Sequence, residues 1–473
     1  MSDRPLCFVL MPFGTKPDPA GKAKVDFDAI YEEALAPGII AAGMVPLRAD
    51  EERLGGVIHR AMFERLLLCD FAVADLTTAN PNVLYELGIR HAARPHTTLT
   101  VYASRKPLPF DVAPLRTQPY DLTARNILTP EAAAALRDGV RDKLRELRRI
   151  AHTGDVTDSP LFQLIADWRP EQLPAAAAPT FAEQVRAGEA VKARLQDLRQ
   201  TVVATGASDE ARAALAAVHA ELRGGYVTDL GVHTEVMLAY RAMDDWTGMI
   251  DTYHELPAHL RRQVLVRQLV AFAYNRRAEN AEDPADPRRG SDRQAALRLL
   301  HEMEAEQGPT SETCGLRGRI HKAVWLEAVA AGDEIRAEGL LTRALDAYLR
   351  GFEIDWRDYY PGINALTLLD ARGTDEALAA MEELMPVVRF ALTRSAATEV
   401  SAGYWVPATR LELAVLGGDP AEARAALGAV LASGPEQWQR TTTAANLRII
   451  RDARARRGVD VTDLNSIIRH LET

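Results

Sequence analysis

The first 125 residues alternate short apolar runs with helical patterns, and few folds accommodate that alternation. "LCFVLMPF" (6–13), "FAVADLT" (71–77) and "TTLTVYAS" (97–104) are continuously apolar or β-branched, and "MVPLRAD" (44–50) reads as a further strand. Strands apolar on both faces are covered on both faces, which is how a parallel sheet is built. Between them, "DFDAIYEEALAPGIIAAG" (26–43), "GGVIHRAMFERLLLCD" (55–70) and "PNVLYELGIRHAAR" (81–94) carry helical spacing, the last with Pro81 in its first turn. The expectation is a small doubly wound α/β domain with its four strands in flavodoxin-like order, followed by a helix at 130–150.

The character changes near residue 160. "DSPLFQLIADWRPEQLPAAAAPT" (158–180) mixes proline and alanine as a junction does, which places an α/β domain at 1–155, a linker at 156–180 and a helical domain at 181–473. In the helical part, pairs such as "AEGLLTRALDAYLRGFEID" (337–355), "DEALAAMEELMPVVRF" (375–390) and "PAEARAALGAVLA" (420–432) recur at roughly 40-residue intervals, the mark of an all-α solenoid. A solenoid presents an extended concave surface, so the expected partner is another protein or the chain's own neighbouring domain.

Composition excludes other classes. The formal net charge of −10 lacks the basic footprint that phosphate-backbone binding demands, so no nucleic acid is expected. No apolar run approaches the roughly 20 residues that span a bilayer, so no membrane is expected either. The start lacks a basic, apolar and cleavable leader, which points to the cytoplasm. Cys7, Cys69 and Cys314 are far apart, with no CxxC, and read as buried thiols. Neither a metal nor a cofactor is called for.

In an open α/β sheet, ligands settle beyond the carboxyl ends of the strands. Three stretches should meet there: "MPFGTKPDPAG" with Met11 and Phe13, "RADEERLGG" opening on Arg48, and "DLTTANPN" running from Asp75 to Asn80 and Asn82. Helical periodicity puts Asn82 and Glu86 on one side and Val83, Leu87 and Arg90 on the next, so Glu86 can face the crevice. The structural alternative has Asp75 and Asn80 as caps, Arg48 with Asp50 as a solvated pair, and Glu86 paired with Arg90 one turn on. His59 and Tyr31 are expected to pack rather than to react.

"FVLMPFG", "IYEEALAPGIIAAGMVPLRADE" and "GGVIHRAMFERLLLCDFAVADLTTANPNVLYELGIRHA" together resemble the superfamily that joins nucleoside 2-deoxyribosyltransferases with Toll/interleukin-receptor (TIR)-like domains, over residues 6–122. The resemblance implies that Asp75 and Glu86 form a catalytic pair, with Glu86 attacking the anomeric carbon of a sugar. TIR-type NAD hydrolases likewise rely on a glutamate beside the nicotinamide ribose. No counterpart of the transferases' C-terminal asparagine stands out, which favours hydrolysis over transfer to an acceptor base.

"TSETCGLRGRIHKAVW" (310–325) and "WRDYYPGINALTLLDARG" (356–373) resemble the helical TRAFs-binding region of apoptosis signal-regulating kinases and of bacterial proteins without a kinase, from about residue 180 onward. That resemblance implies a tetratricopeptide-like scaffold engaged in protein contact and self-association. Kinase signatures in suitable context are missing from the sequence. Two functions follow as expectations. One is hydrolysis of an N-glycosidic bond in a nucleotide, NAD included, with Arg48 on a phosphate and Phe13 on a base. The other is a non-catalytic, nucleotide-sensing scaffold.

Overall fold

A computed structural model describes all residues except 1–3, 19–22, 49–58, 105, 107, 111, 113–114, 116, 152–156, 166–176, 224–229, 282, 284–285, 399–403, 435–436 and 473. Asp50 falls outside the described residues, and so does the side chain of His59.

Five strands form one parallel sheet: β1 (Leu6–Leu10), β2 (Val45–Arg48), β3 (Phe71–Asp75), β4 (Thr98–Ala103) and β5 (Gln118–Tyr120). Their order is β2-β1-β3-β4-β5, all neighbours parallel, which is the flavodoxin-like arrangement. A short antiparallel hairpin, Thr15–Pro17 with Lys24–Asp26, follows β1.

Alternate residues of β1 and β3 serve opposite cores. Cys7, Val9, Phe71 and Val73 pack against α1 (Phe27–Ile30), a π-helical turn (Tyr31–Leu35), α2 (Ala36–Ala41) and α5 (Pro130–Ile150). Leu6, Phe8, Leu10, Ala72 and Ala74 pack against α3 (His59–Leu68) and α4 (Pro81–Ala93). The two-sided covering explains the continuous apolar runs, and each such Val, Leu or Phe contributes about 1.5–3 kcal/mol by burial. Beyond α5 come α6 (Pro160–Leu164), α7 (Ala177–Thr205), α8 (Asp209–Arg223) and α9 (Leu230–Ala242). Val185 of α7 joins the α3/α4 core, and Arg65 of α3 pairs with Glu189 at 3.4 Å.

The chain divides into two compact units, Met1–Asp244 with Glu255–Gln263, and Asp245–His254 with Val264–Thr473. From residue 177 on, the described residues contain helices and turns but no strand. After α10 (Trp246–Glu255) and α11 (Ala258–Arg261), successive helices pack as pairs: α12 (Val264–Glu279) with α13 (Pro287–Gln307), α14 (Ser311–Ala330) with α15 (Glu334–Ile354), α16 (Tyr359–Arg372) with α17 (Asp375–Thr398), α18 (Trp405–Leu416) with α19 (Pro420–Ala432), and α20 (Gln437–Arg456) with α21 (Thr462–Glu472).

Small residues set the pair spacing. A Cβ on Gly318 of α14 would lie 2.8 Å from the Tyr348 ring of α15, so only glycine lets that ring approach. Gly373, which ends α16 at φ +68°, meets Arg457, and both its conformation and its contact exclude a side chain. Deep in this unit, the Lys322 ammonium of α14 donates to Asn364 Oδ1 of α16 at 2.9 Å and to Asn446 Oδ1 of α20 at 2.8 Å. Asn446 in turn donates to Glu412 Oε1 of α18 at 3.2 Å, so one polar chain, with Lys322, Asn364 and Glu412 buried, ties four helices.

Candidate functional site

Two separate polar clusters at the carboxyl edge of the sheet hold residues expected at the site. The first lies over β1 and β2. Arg48 closes β2, opposite Val9 in the ladder, and its side chain is 4% exposed. The guanidinium carbon sits 4.7 Å from the ring centres of both Phe13 and Tyr31, an aromatic sandwich that suits a planar cation. Its ionic partner is Asp28, whose carboxylate also accepts the Gly14 amide at 3.0 Å. Tyr31 opens the π-helical turn, which interrupts an otherwise α-helical stretch beside Arg48.

The second cluster lies over β3, β4 and β5. Asp75 ends β3 and is 1% exposed. Its Oδ1 accepts the Thr77 amide and its Oδ2 accepts the Tyr120 hydroxyl, both at 2.9 Å. Because Tyr120 donates its proton to Asp75, the Thr77 hydroxyl donates to Tyr120 across 2.7 Å, and Thr77 Oγ1 accepts the Ala103 amide at 2.9 Å. Burial pushes the Asp75 carboxyl above its ordinary range, and the Thr77 and Tyr120 hydrogen bonds pull it part of the way back. Burial, then the neighbouring Asp75, pushes the Tyr120 phenol well up.

Helix α4 starts where expected. Asn80 is its N-cap, accepting the amides of Asn82 at 2.9 Å and Val83 at 3.3 Å, and Pro81 follows it. Asn82 is exposed, Glu86 half-buried, and Val83, Leu87 and Arg90 are buried, as helical periodicity requires.

Of the residues expected to border one crevice, Phe13 and Arg48 touch, while Met11 is buried in the α1/α2/α5 core. Asp75 is committed to Thr77 and Tyr120 instead of bonding directly to Glu86. The pairing of Glu86 with Arg90 is replaced by a different arrangement. Arg90 is fully buried and donates to the carbonyls of Leu66, Cys69 and Asp70 and to the hydroxyls of Thr97 and Thr98, at 2.8–3.4 Å. It thereby caps the end of α3. Burial lowers its pKa to about 10. Cys7, Cys69 and Cys314 are buried free thiols.

Three members of these clusters escaped sequence reasoning as site residues. Asp28 is the first-turn acid of α1, Thr77 lies just beyond the end of β3, and Tyr120 sits in a three-residue strand with no apolar run to announce it.

The profile of the MAP3K TRAFs-binding domain matches residues 83–468, from the first turns of α4 to the last helix. A search of curated proteins finds no match to the chain.

Proposed function

Because the chain belongs to the MAP3K TRAFs-binding domain family, we propose that it is a signalling protein whose helical pairs hold a protein partner while its α/β unit receives a nucleotide-like ligand. The family match over residues 83–468 carries the first half of this reading. The flavodoxin-like strand order supports the second, since such sheets bind ligands at their carboxyl edge, where Arg48, Phe13 and the α4 N-terminus stand.

A second reading is hydrolysis of an N-glycosidic bond, with NAD among the candidate substrates. One observation favours it: Glu86 is half-buried on α4, one turn beyond Asn82, on the side away from the core. Cleavage builds positive charge on the sugar, and a carboxylate near the anomeric carbon stabilises that charge more than the ground state. Asp75, with both oxygens held by Thr77 and Tyr120, would act by fixing those groups rather than by touching the ligand.

Purified full-length protein incubated with NAD and nucleosides, beside Glu86→Gln, separates the two. Turnover by wild type and binding without turnover by the variant support the hydrolase. Calorimetric binding with equal inertness of both proteins, also in the self-associated state, supports the sensing scaffold. A photoreactive residue at Phe390, 66% exposed on α17, tests the helical part. A single heterologous adduct reproduced with purified components supports partner docking; self-adducts alone reassign that face to self-association.

A further inference from the structure

A cavity of about 120 Å³ opens at the carboxyl ends of β4 and β5, lined by Ala103, Lys106, Leu122, Thr123, Ala124 and Asn126. It lies over the opposite half of the sheet from Arg48 and Phe13. Its polar wall is built rather than incidental. Lys106 and Asp18 form an ion pair with side chains 12% and 5% exposed, and Asn126 Nδ2 donates to Asp18 Oδ2 at 3.2 Å and to the Ala23 carbonyl at 3.4 Å. Asn126 holds its place at φ +60°, a left-handed conformation that asparagine tolerates.

The remaining hydrogen-bonding capacity of these groups defines a ligand. Asp18 takes one N–H of the Lys106 ammonium, and among the described residues the other two have no partner. Asn126 has both amide protons engaged, which leaves Oδ1 as an acceptor. Thr123 Oγ1 accepts the Ile127 amide at 3.1 Å and keeps its proton to donate. The wall thus offers donors and an acceptor together, and the Lys106–Asp18 pair carries no net charge. An oxyanion would meet the Asn126 oxygen and the nearby Asp18 carboxylate unfavourably. Vicinal hydroxyls both donate and accept, and Leu122, Ala103 and Ala124 give their C–H face an apolar surface.

We infer that this cavity binds a neutral hydroxylated ligand, the vicinal diol of a sugar or polyol. The site is independent of Glu86 and of any glycosidic chemistry there. A free sugar and the ribose of a nucleotide present the same diol, and the probes separate them.

The test titrates full-length protein with D-ribose, ADP-ribose and inorganic phosphate by calorimetry and saturation-transfer NMR. The expected result is binding of ribose or ADP-ribose but not phosphate, weakened at least tenfold by Ala124→Phe, which sets a large apolar side chain at the exposed rim of the cavity. Lys106→Met, checked for folding by circular dichroism, should weaken it similarly, while Glu86→Gln leaves D-ribose affinity unchanged. Ribose binding alone indicates a free sugar; ADP-ribose binding alone, still lost in Ala124→Phe, indicates a nucleotide sugar. Phosphate binding that competes with ribose, sugar binding indifferent to Ala124→Phe, or no binding of any probe overturns the inference.

Discussion

The buried chain from Lys322 through Asn446 to Glu412 makes a quantitative demand on the helical unit. Lys322→Met removes the hydrogen bonds to Asn364 and Asn446 and leaves the Glu412 carboxyl, 6% exposed, without its nearby cation. Breaking one partner of such a buried pair costs about 3–5 kcal/mol, whereas replacing both by apolar side chains of similar volume is often neutral or stabilising. Hydrogen-exchange mass spectrometry of the full chain should therefore show α14 and α18 amides opening about two to three and a half decades faster in Lys322→Met, at about 1.4 kcal/mol per decade. Lys322→Met with Glu412→Leu should return most of that loss. The pH dependence has a definite sign. Burial, against the Glu412 charge, lowers Lys322 from 10.5 to about 8, and burial raises Glu412 from 4.5 to about 7. The folded state prefers both groups neutral, so the Glu412 contribution falls as pH rises from 4.5 through 7, and the Lys322 contribution grows as pH rises from 8 through 10.5. Protection of these helices should fall from acid toward neutral pH and recover toward alkaline pH in wild type, and flatten in the double variant. Additive single effects, or an unchanged pH profile in the double variant, would refute the reasoning.

Three other outcomes are expected. Tyr120→Phe strips one hydrogen bond from buried Asp75, destabilising the α/β unit by about 1–3 kcal/mol in urea melts. The same change should raise the Asp75 pKa further by carboxyl NMR; since its folded pKa already exceeds the unfolded one, its contribution is greatest in acid and is lost as pH rises through the folded value. Arg48→Lys replaces a planar cation between two rings by a compact one, costing about 0.5–2 kcal/mol in thermal unfolding and altering the near-ultraviolet dichroism of Phe13 and Tyr31. Gly318→Ala overpacks the Tyr348 ring and should cost about 1–3 kcal/mol in the same measurement, with Tyr348→Leu partly restoring it.

The parallel sheet was legible because β1 and β3 are apolar on both faces and β4 is apolar or β-branched nearly throughout, and the helical pairs because their spacing repeats. Two elements were not. Gln118–Tyr120 is a three-residue edge strand containing a proline, too short to establish a period, and the Thr15–Pro17 hairpin lies in a proline- and glycine-rich stretch that reads as loop. Within the site, Arg48 and Phe13 were predictable neighbours because one ends a strand and the other follows a strand end on the same edge of the sheet. The role of Arg90 was hidden, since its acceptors belong to the α3/β3 turn about twenty residues upstream and to the start of β4, and helical spacing alone cannot distinguish a caged arginine from a surface one. Asp75 was placed correctly at the strand tip, but its binding to Tyr120 depends on a strand the pattern did not reveal.

Val185 of α7 lies in the same apolar cluster as Leu6, Phe8 and Leu87, and Arg186 donates to the Arg4 carbonyl at 2.6 Å. This contact limits how genetic recombination could redistribute the α/β unit. A fusion joint placed near residue 180 would take Val185 out of the α3/α4 core and the Arg186 bond from Arg4, so a donor cassette must extend into α7 to keep that core whole. The inheritable module is thus longer than the sheet it encodes, and descendants that shuffled this domain onto new partners should carry the first solenoid-like helix with it.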